Sequence, residues 1–392
     1  MNLSNETAAL DVTGSLRAGT SSLLQALKGS ETALCLAADN RKARPASESE
    51  MLLGDAGAAV LVGEGEPIAK LIGSHSVTID FVDHFRSSSE EFDYAWEKRW
   101  VRDEGFMGIL ADTITEALGK FGVKAADVDH VLIPLPGRSL PPKLVKALGF
   151  NSEAVADILY STVGFTGTAH PFLMLADALS KAKAGETILL AGFGQGADIL
   201  LFEATARAGK LSPEMGFQGC LATKMDDENY MRYLFHRKQV DLEKGMRAEY
   251  DEKQSGTALS RDRKAVLGLI GGKCTKTGTV QFPKTSISVN QNDRAVNTQE
   301  DYPLSNKIAK VTTFTADSLT YSPDPPTYYG MIDFEGGGRM ISEFSDVSQE
   351  DVKVGREMRM VFRIKAFDDQ RKFIKYFWKA TPVRNASKGE AK

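Results

Sequence analysis

His170 is the residue in this sequence whose chemistry and position best suit a catalytic role. It stands with Pro171 at the start of a predicted helix, where a proline is tolerated because a first-turn amide has no helical acceptor. The helix dipole lowers the proton affinity of an imidazole placed there, and a neutral histidine can act as a general acid or base. The alternative interpretation is that His170 only caps the helix. Tyr160 and Asp198 are weaker candidates, of the kind usually found in a core and in a turn.

A glycine-rich turn, Gly192-Phe-Gly194-Gln-Gly196, is the second such feature. A loop that binds nucleotide phosphates leads from a strand into a helix, whose N-terminus faces the anion. Here the glycines join two apolar strands, predicted over 187–191 and 197–202. The pattern therefore predicts a tight reversal between buried strands and argues against a dinucleotide-binding fold.

The elements around these residues are those of an α/β domain. After Pro171, apolar residues recur at helical spacing up to a glycine at Gly185, which predicts one helix. Other predicted elements are a strand over 8–12, a helix over 21–27, a strand over 33–38, a glycine-rich turn entering a strand over 53–62, a helix over 108–118, and a strand over 131–133.

The composition is that of an ordinary globular protein of two or three domains. The chain has 392 residues, of which 42% are hydrophobic and 26% charged, with a net charge of −4. This charge does not call for nucleic acid, and no apolar stretch is long enough to cross a bilayer. The start lacks the pattern of a signal peptide, so we expect a cytoplasmic protein. Three scattered cysteines predict neither a disulfide framework nor a closed metal site.

Several segments of the first half, taken together and in order, resemble the thiolase superfamily. They are ALDVTGSLRAGTSSL, TALCLAADNR, LLGDAGAAVLVG, DHVLIPLPGR, VGFTGTAHP and LLAGFGQGADILLF, over roughly residues 8–205. The hydroxymethylglutaryl-CoA synthase and type III ketoacyl synthase branch is the most similar. The resemblance implies layered pseudo-repeated halves, a homodimer and an acyl-CoA substrate. It also implies an additional segment ahead of the nucleophile strand, which is either supplied by another chain or lost by truncation.

The residues at the family's catalytic positions are altered. The resemblance places the nucleophilic cysteine at Leu16, the histidine at Pro134 and the asparagine at Phe165. A thiolate forms the acyl-enzyme, and the histidine and asparagine stabilise developing negative charge, which these three side chains cannot do. His170 then becomes the candidate acid or base for an aldol-type reaction that needs no acyl-enzyme. Gly194 and Gly196 are weak candidates for lining the acyl-CoA pocket.

The segment 81–100 combines aromatic residues with mixed charge. Its histidine and carboxylates match no metal-ligand spacing, so a solvated or interface segment is the preferred interpretation. Residues 1–208 are predicted as the thiolase-like domain, with its leading segment missing. Residues 209–262 are predicted as a linker with a docking helix within 225–250.

Residues 263–308 have the layout of a zinc ribbon that has lost its ligands. Only Cys274 remains of four thiolates, with Thr277, Ser288 and Asp293 at the other ligand positions. We predict a ribbon that keeps its turns without zinc, and no other cofactor or metal.

Residues 309–392 contain five short alternating strands and glycine-rich turns, which predict an OB-fold barrel. Ribbon and barrel resemble the OB-fold protein that partners thiolase-like enzymes. A nucleic-acid groove is the alternative, carried by residues from Arg363 to Lys379. Strand alternation separates Tyr376 and Trp378 from Phe377, and many carboxylates accompany them, so we expect no nucleic acid.

Two functions follow from these features. The first is carbon-carbon bond formation or aldol-type cleavage at a CoA thioester, similar to hydroxymethylglutaryl-CoA synthase but without a cysteine acyl-enzyme. The second is a non-catalytic subunit that binds acyl-CoA or supports a thiolase-like partner, as a homodimer or a hetero-oligomer. Neither function requires a membrane.

Overall fold

The computed structural model describes residues 3–135, 140–210, 216–243, 256–368 and 371–384. The chain divides into two compact units, one spanning residues 9–224 and the other beginning at Met225. Among the described residues, no helix has both the length and the hydropathy that a membrane-spanning helix needs.

The first unit alternates helices with strands. Its helices are α1 (Ala18–Lys28), α2 (Glu48–Leu52), α3 (Lys98–Trp100), α4 (Ala111–Phe121), α5 (Leu140–Leu148), α6 (Tyr160–Val163), α7 (His170–Lys181) and α8 (Gly216–Ala222), with a π-helix, Val101–Leu110, leading into α4. Its strands are β1 (Ala33–Asp39), β2 (Ala56–Val62), β3 (Ala69–Thr78), β4 (His84–Phe85), β5 (Tyr94–Ala95), β6 (His130–Leu132), β7 (Thr187–Phe193) and β8 (Gly196–Ala204).

A four-stranded sheet in the order β3-β8-β7-β6 forms the centre of this unit. The strands β7 and β8 form the antiparallel hairpin expected from the glycine turn, and β6 pairs with β7 in parallel. A separate antiparallel pair is formed by β1 and β2.

Alternate residues of β7 and β8 enter two different cores, one on each face of the sheet. On one face, Leu189 and Ile199 pack with Ile114 of α4 and Leu144 of α5. On the other face, the neighbouring residues of the hairpin pack with α1, α7 and the β1–β2 pair. The layered helix-sheet-helix arrangement expected from the sequence is therefore confirmed.

The second unit contains the ribbon and the barrel. Its helices are α9 (Tyr230–His236), α10 (Gly256–Arg261) and α11 (Arg263–Gly268), and its ribbon strands are β9 (Ile270–Cys274), β10 (Val280–Gln281) and β11 (Gln299–Pro303). The barrel strands are β12 (Ala309–Asp317), β13 (Thr327–Phe334), β14 (Arg339–Glu343), β15 (Glu357–Asp368) and β16 (Phe373–Pro382). Their order is β14-β13-β12-β15-β16, and a bridge between Phe344 and Ala380 brings the two edges together. The five predicted strands are confirmed.

Two predicted elements are wrong. Residues 8–12 form no strand, because within the described chain their backbone has no ladder partner, and Leu10 is 81% exposed. The docking helix is limited to Tyr230–His236, since the backbone turns at Arg237 and Lys238, where Lys238 adopts a positive φ of 57°. The part of that prediction beyond residue 243 lies outside the described residues.

Candidate functional site

Leu16 is half-buried and lies immediately before Arg17, which occupies the N-cap position of α1 without a side-chain capping hydrogen bond. The β7–β8 turn packs directly against it. A Cβ added to Gly194 would lie 2.6 Å from Ser15 Oγ and 3.1 Å from the backbone nitrogen of Leu16. Ser15 Oγ also donates a hydrogen bond to the Gly194 carbonyl at 3.0 Å. Gly194 therefore lies beside the position to which the resemblance assigns the nucleophile.

Arg17 and Asp198 form a buried ion pair beside this turn, at 3.1 Å. Arg17 also donates to the Val77 carbonyl and to Thr78 Oγ1 of β3. The Asp198 carboxylate, which is 1% exposed, accepts from the hydroxyls of three further residues. These residues are Thr20 and Ser21 of α1 and Ser76 of β3.

This network joins α1, β3 and β8, and no pattern in the sequence predicts it. Asp198 was considered a turn residue, but it lies in β8, opposite Gly192 of β7. A carboxylate inside the apolar run Ala197–Phe202 was the available signal, because a buried charge needs a partner. The partner could not be read from the sequence, since Arg17 is 181 positions away. Because every group in the network is hydrogen-bonded, its role is to hold the start of α1 against the sheet.

His170 is fully buried at the start of α7, and both of its ring nitrogens are hydrogen-bonded. Nδ1 accepts from the Thr166 amide at 3.2 Å, and Nε2 donates to the Ile158 carbonyl at 2.8 Å. This pattern requires the neutral tautomer with its proton on Nε2. Burial lowers the pKa of His170, in agreement with that form, although the Ile158 carbonyl opposes the shift. The imidazole is neutral, as expected, but it is enclosed rather than open to a substrate.

Phe165 completes an aromatic cluster around His170. Its ring lies 5.3 Å from the imidazole and stacks on Tyr160 with centroids 5.8 Å apart. Its backbone pairs with the chain around Gly54, which fixes the ring in place. The position to which the resemblance assigns the family's asparagine thus carries a buried hydrocarbon ring.

The two remaining candidate positions, Pro134 and Gly196, are buried inside the first unit. Pro134 is buried just after β6. Gly196 faces the neighbouring strand, since a Cβ added there would lie 2.0 Å from the Val77 carbonyl oxygen. Its φ of +107° also favours glycine. Close strand packing therefore accounts for Gly196, whereas Gly194 borders the turn at Leu16.

The segment 81–100 brings no metal ligands together. In the described parts of the chain, no group of three or more histidine, cysteine or acidic residues could hold a metal ion. His84 contacts Asp83, and Asp93 pairs with Arg41. The ring of Phe81 is buried and stacks on Trp100 at 4.4 Å.

In the ribbon, hydrogen bonds join the turns that would carry zinc ligands. Thr279 Oγ1 accepts from Thr277 Oγ1 at 3.0 Å and from Asn290 Nδ2 at 2.8 Å. Asn290 Oδ1 in turn accepts from the amides of Asn292 and Asp293. With one thiolate, and with the Thr277 hydroxyl already hydrogen-bonded to Thr279, these residues do not fit a tetrahedral zinc ion.

Cys274, the one thiolate of the predicted ribbon, lies among hydrogen-bond donors. Its side chain is buried, and its Sγ lies 3.2 Å from Thr298 Oγ1. Hydrogen bonds from the Thr277 and Thr298 hydroxyls, helped by the Thr277 and Lys276 amides, lower the pKa of the Cys274 thiol to about 6. Donors that would stabilise a metal-bound thiolate here stabilise the free thiolate.

Comparison with known proteins finds two family models, one in each unit. Residues 118–200 match the C-terminal domain of 3-oxoacyl-[acyl-carrier-protein] synthase III. Residues 302–363 match the C-terminal OB-fold domain of ChsH2.

Curated relatives include hydroxymethylglutaryl-CoA synthases. That of Archaeoglobus fulgidus is 31% identical over 168 residues, covering 42% of this chain and 48% of the relative. The hydroxymethylglutaryl-CoA synthase of Pyrococcus furiosus is 28% identical over 241 residues, which cover 59% of this chain and 66% of the relative. The chain thus spans about half to two thirds of the length of these relatives.

Among solved structures, a hydroxymethylglutaryl-CoA synthase complexed with CoA has a TM-score of 0.46 and 21% identity, covering 62% of this chain and 68% of that one. The 3-oxoacyl-(acyl carrier protein) synthase III of Pseudomonas aeruginosa has a TM-score of 0.43 and 17% identity. The match covers 49% of this chain and 66% of that one. With the two family matches and the curated relatives, the chain is identified as a thiolase-like α/β domain joined to a C-terminal OB-fold domain.

Proposed function

We propose that this chain binds acyl-CoA compounds as a non-acylating subunit and supports the chemistry of a thiolase-like partner. The relatives are named for a reaction of CoA thioesters, and the thiolase-like domain resembles theirs. The observation that carries the proposal is the enclosure of His170. This leading candidate acid or base is fully buried, and both of its ring nitrogens are hydrogen-bonded inside the protein.

The residues at the other catalytic positions support the same conclusion. Leu16 is aliphatic at the N-terminus of α1, where a cysteine would gain nucleophilicity from the helix dipole. Phe165 and Pro134 are buried and carry no polar side-chain group. A covalent acyl-enzyme therefore has no nucleophile at this site, and no side chain at these positions could stabilise an oxyanion.

The competing function is carbon-carbon bond formation or aldol-type cleavage by this chain itself. It would require His170 to release the Ile158 carbonyl or the Thr166 amide before it could exchange a proton with substrate. The names of the curated relatives favour this function.

Turnover by the isolated chain distinguishes the two functions. The chain is purified alone and after coexpression with a separate thiolase-like protein, then tested with acetyl-CoA plus acetoacetyl-CoA and with 3-hydroxy-3-methylglutaryl-CoA. We expect the chain alone to bind acetyl-CoA in a calorimetric titration without turnover, and turnover to appear only with the partner.

A mass measurement tests the absence of an acyl-enzyme separately. After incubation with acetyl-CoA, the intact mass of the wild-type chain should show no acetyl group added at the thiolase-like site. Leu16→Cys serves as the comparison, because it places a thiol at the start of α1. Turnover by the isolated wild-type chain that is lost in a folded His170→Gln variant would overturn the proposal in favour of catalysis.

A further inference from the structure

Strands β15 and β16 continue past their barrel partners as a two-stranded hairpin. Strand β12 pairs with β15 only at residues 357 and 358, and the bridge that closes the barrel reaches β16 at Ala380. Along residues 361–368 and 373–379, which we call the arm, the two strands pair with each other and, within the described chain, with no further strand. A two-stranded hairpin is marginally stable by itself in water, so the packing of its side chains has to stabilise the arm.

One face of the arm is entirely apolar. Cross-strand pairing places six residues on it in three rows, which are Phe362 with Trp378, Ile364 with Tyr376, and Phe367 with Ile374. Trp378 is half-buried and packs on the barrel core, whereas the other five are between 38% and 46% exposed. The rings of Phe362 and Tyr376 stack with centroids 5.6 Å apart, so the rows form one surface. A contiguous exposed apolar surface of this kind marks an interaction site.

A β-bulge makes this face continuous. Regular alternation would place Phe367 on the face opposite Ile364, because the two residues are three positions apart. The ladder register shifts between Ile364 and Ala366, so Lys365 is an extra residue and Phe367 comes to lie opposite Ile374. The bulge therefore adds a third apolar row to a face that would otherwise end after two.

The opposite face carries the charges of the arm. Three of its cations contact carboxylates: Arg363 with Asp346 at 3.0 Å, Lys379 with Glu343 at 2.7 Å, and Lys375 with Asp368 at 3.8 Å. On the apolar side, Lys238 lies over the ring of Phe367, with its Nζ 4.1 Å from the centroid. An anionic membrane or a nucleic acid strand is bound by several cations beside the apolar or aromatic residues. Here most cations lie across the arm from the rings, so the apolar face suits an apolar protein surface.

The size of the apolar face indicates the kind of partner. Five large side chains, each exposed by about 40%, leave roughly 400 Å² of apolar surface. Two such faces would bury about 800 Å² together, which is below the roughly 1,200–2,000 Å² of a stable complex. The face therefore fits a weak, reversible contact. A second copy of the chain carries a matching face of the same size, and two-fold contacts are the commonest between identical chains.

We propose that the apolar face of the arm packs on the same face of a second copy of this chain. A two-fold axis near the middle row, Ile364 and Tyr376, stacks the two arms as a small two-layer sandwich with the usual spacing of about 10 Å. This contact is separate from the homodimer that the resemblance over residues 8–205 implies, because the arm belongs to the second unit. It is also independent of acyl-CoA binding.

Site-specific crosslinking of the full chain tests the contact. Cys220, the exposed cysteine, is changed to serine, whereas Cys35 and Cys274 are buried and stay in place. Ile364→Cys then places a thiol in the middle row of the apolar face. Phe373→Cys is the matched control, because Phe373 belongs to the same arm, is equally exposed at 39% against 38%, and lies on the opposite face.

A bifunctional maleimide with a reach of about 10 Å should link copies of Ile364→Cys at least about fivefold more than copies of Phe373→Cys. Sedimentation velocity at increasing protein concentration measures the contact without a crosslinker. We expect an association step that Ile364→Glu weakens at least about tenfold, because it buries a charge between the arms, and that Phe373→Glu leaves unchanged. Circular dichroism confirms that the variants are folded, and both positions are exposed.

Equal crosslinking of the two cysteine variants would overturn the inference, as would an association step that Ile364→Glu leaves intact. Two further results would assign the face to another partner and overturn it as well. One is flotation with vesicles of phosphatidylcholine and phosphatidylglycerol that Ile364→Glu abolishes and Phe373→Glu does not. The other is the same pattern in the binding of single-stranded oligodeoxythymidine. None of these measurements uses a CoA compound, so their outcome is independent of the proposed function.

Discussion

Two buried polar residues of the thiolase-like unit show how burial changes what a reactive side chain can do. His170 and Asp198 are each almost inaccessible, and each is hydrogen-bonded throughout. In His170 these bonds fix a neutral tautomer, whereas in Asp198 they stabilise a charge paired with Arg17. Both residues were catalytic candidates by type, and their surroundings give both a structural role.

The stability of the protein should depend on the protonation of His170. Burial lowers its pKa below the ordinary value of 6.5, so the unfolded chain takes up a proton there that the folded chain does not. The stabilisation is therefore present above pH 6.5 and declines as the pH falls below it. His170→Gln should lower the free energy of unfolding by about 1–3 kcal/mol at pH 7.5, because its hydrogen bonds are imperfectly replaced.

Chemical denaturation at pH 7.5 and pH 5.5 measures this effect. The loss of stability between the two pH values should be smaller in His170→Gln than in the wild type. His236→Gln, at an exposed histidine of the second unit, should retain the full wild-type difference. An equal pH dependence in wild type and His170→Gln would contradict the prediction.

Asp198→Asn should be among the most destabilising isosteric changes in the chain. It leaves the Arg17 guanidinium, only 11% exposed, without its counter-charge, and breaking one side of a buried pair costs about 3–5 kcal/mol. Glu48→Gln disrupts the exposed pair with Lys98 and should cost less than about 1 kcal/mol. Urea unfolding followed by circular dichroism compares the two, and similar small losses would show that the network contributes little.

At the scale of elements, the sequence predicts best where pattern and burial agree. Helix α7, strands β7 and β8 and the five barrel strands were all predicted, because apolar spacing and turn residues point to one structure. Strand β3 was missed, since His75 and its serine neighbours obscure the alternation of Ala69–Thr78. The strand over 8–12 was predicted from apolar residues that have no pairing partner in the described chain.

The candidate site was predictable only in part, because sequence patterns do not show which backbone groups surround a side chain. The positions that the resemblance assigns to the family's catalytic residues could be proposed from the sequence, because each lies within a recognisable motif. The enclosure of His170 depends on Ile158 and Thr166, whose carbonyl and amide are backbone groups that no sequence pattern marks. Residue type therefore revealed the candidates, and only the fold revealed their accessibility.

The β7–β8 turn gives a prediction about glycine. Gly196→Ala places a Cβ about 2.0 Å from the Val77 carbonyl at a positive φ, so β3 or β8 must shift. We expect a loss of at least about 2 kcal/mol, through strain and disrupted pairing. Gly119→Ala, in helix α4 with open space around the new Cβ, should instead stabilise by about 0.5–1 kcal/mol. Thermal unfolding of both variants checks the contrast, and a neutral Gly196→Ala would contradict it.

At the scale of the whole molecule, ribbon and barrel share one core. Leu269 and Val280 of the ribbon region pack with Ile332 and Met340 of the barrel. The thiolase-like unit has its own two cores around the central sheet. Two units with separate cores should unfold as separate cooperative transitions, with ribbon and barrel together in one of them.

Production of residues 225–392 as a separate chain tests this organisation together with the prediction that the ribbon folds without zinc. Thr279 and Asn290 join the ribbon turns by a hydrogen bond, so EDTA should shift the melting temperature of this fragment by less than about 2 °C. Its single transition should coincide with one of the two transitions of the full chain in calorimetry. A ribbon that depended on zinc would lose its structure in EDTA and regain it with added metal, since structural zinc contributes directly to folding. An unfolded fragment would show instead that the second unit needs the first to fold.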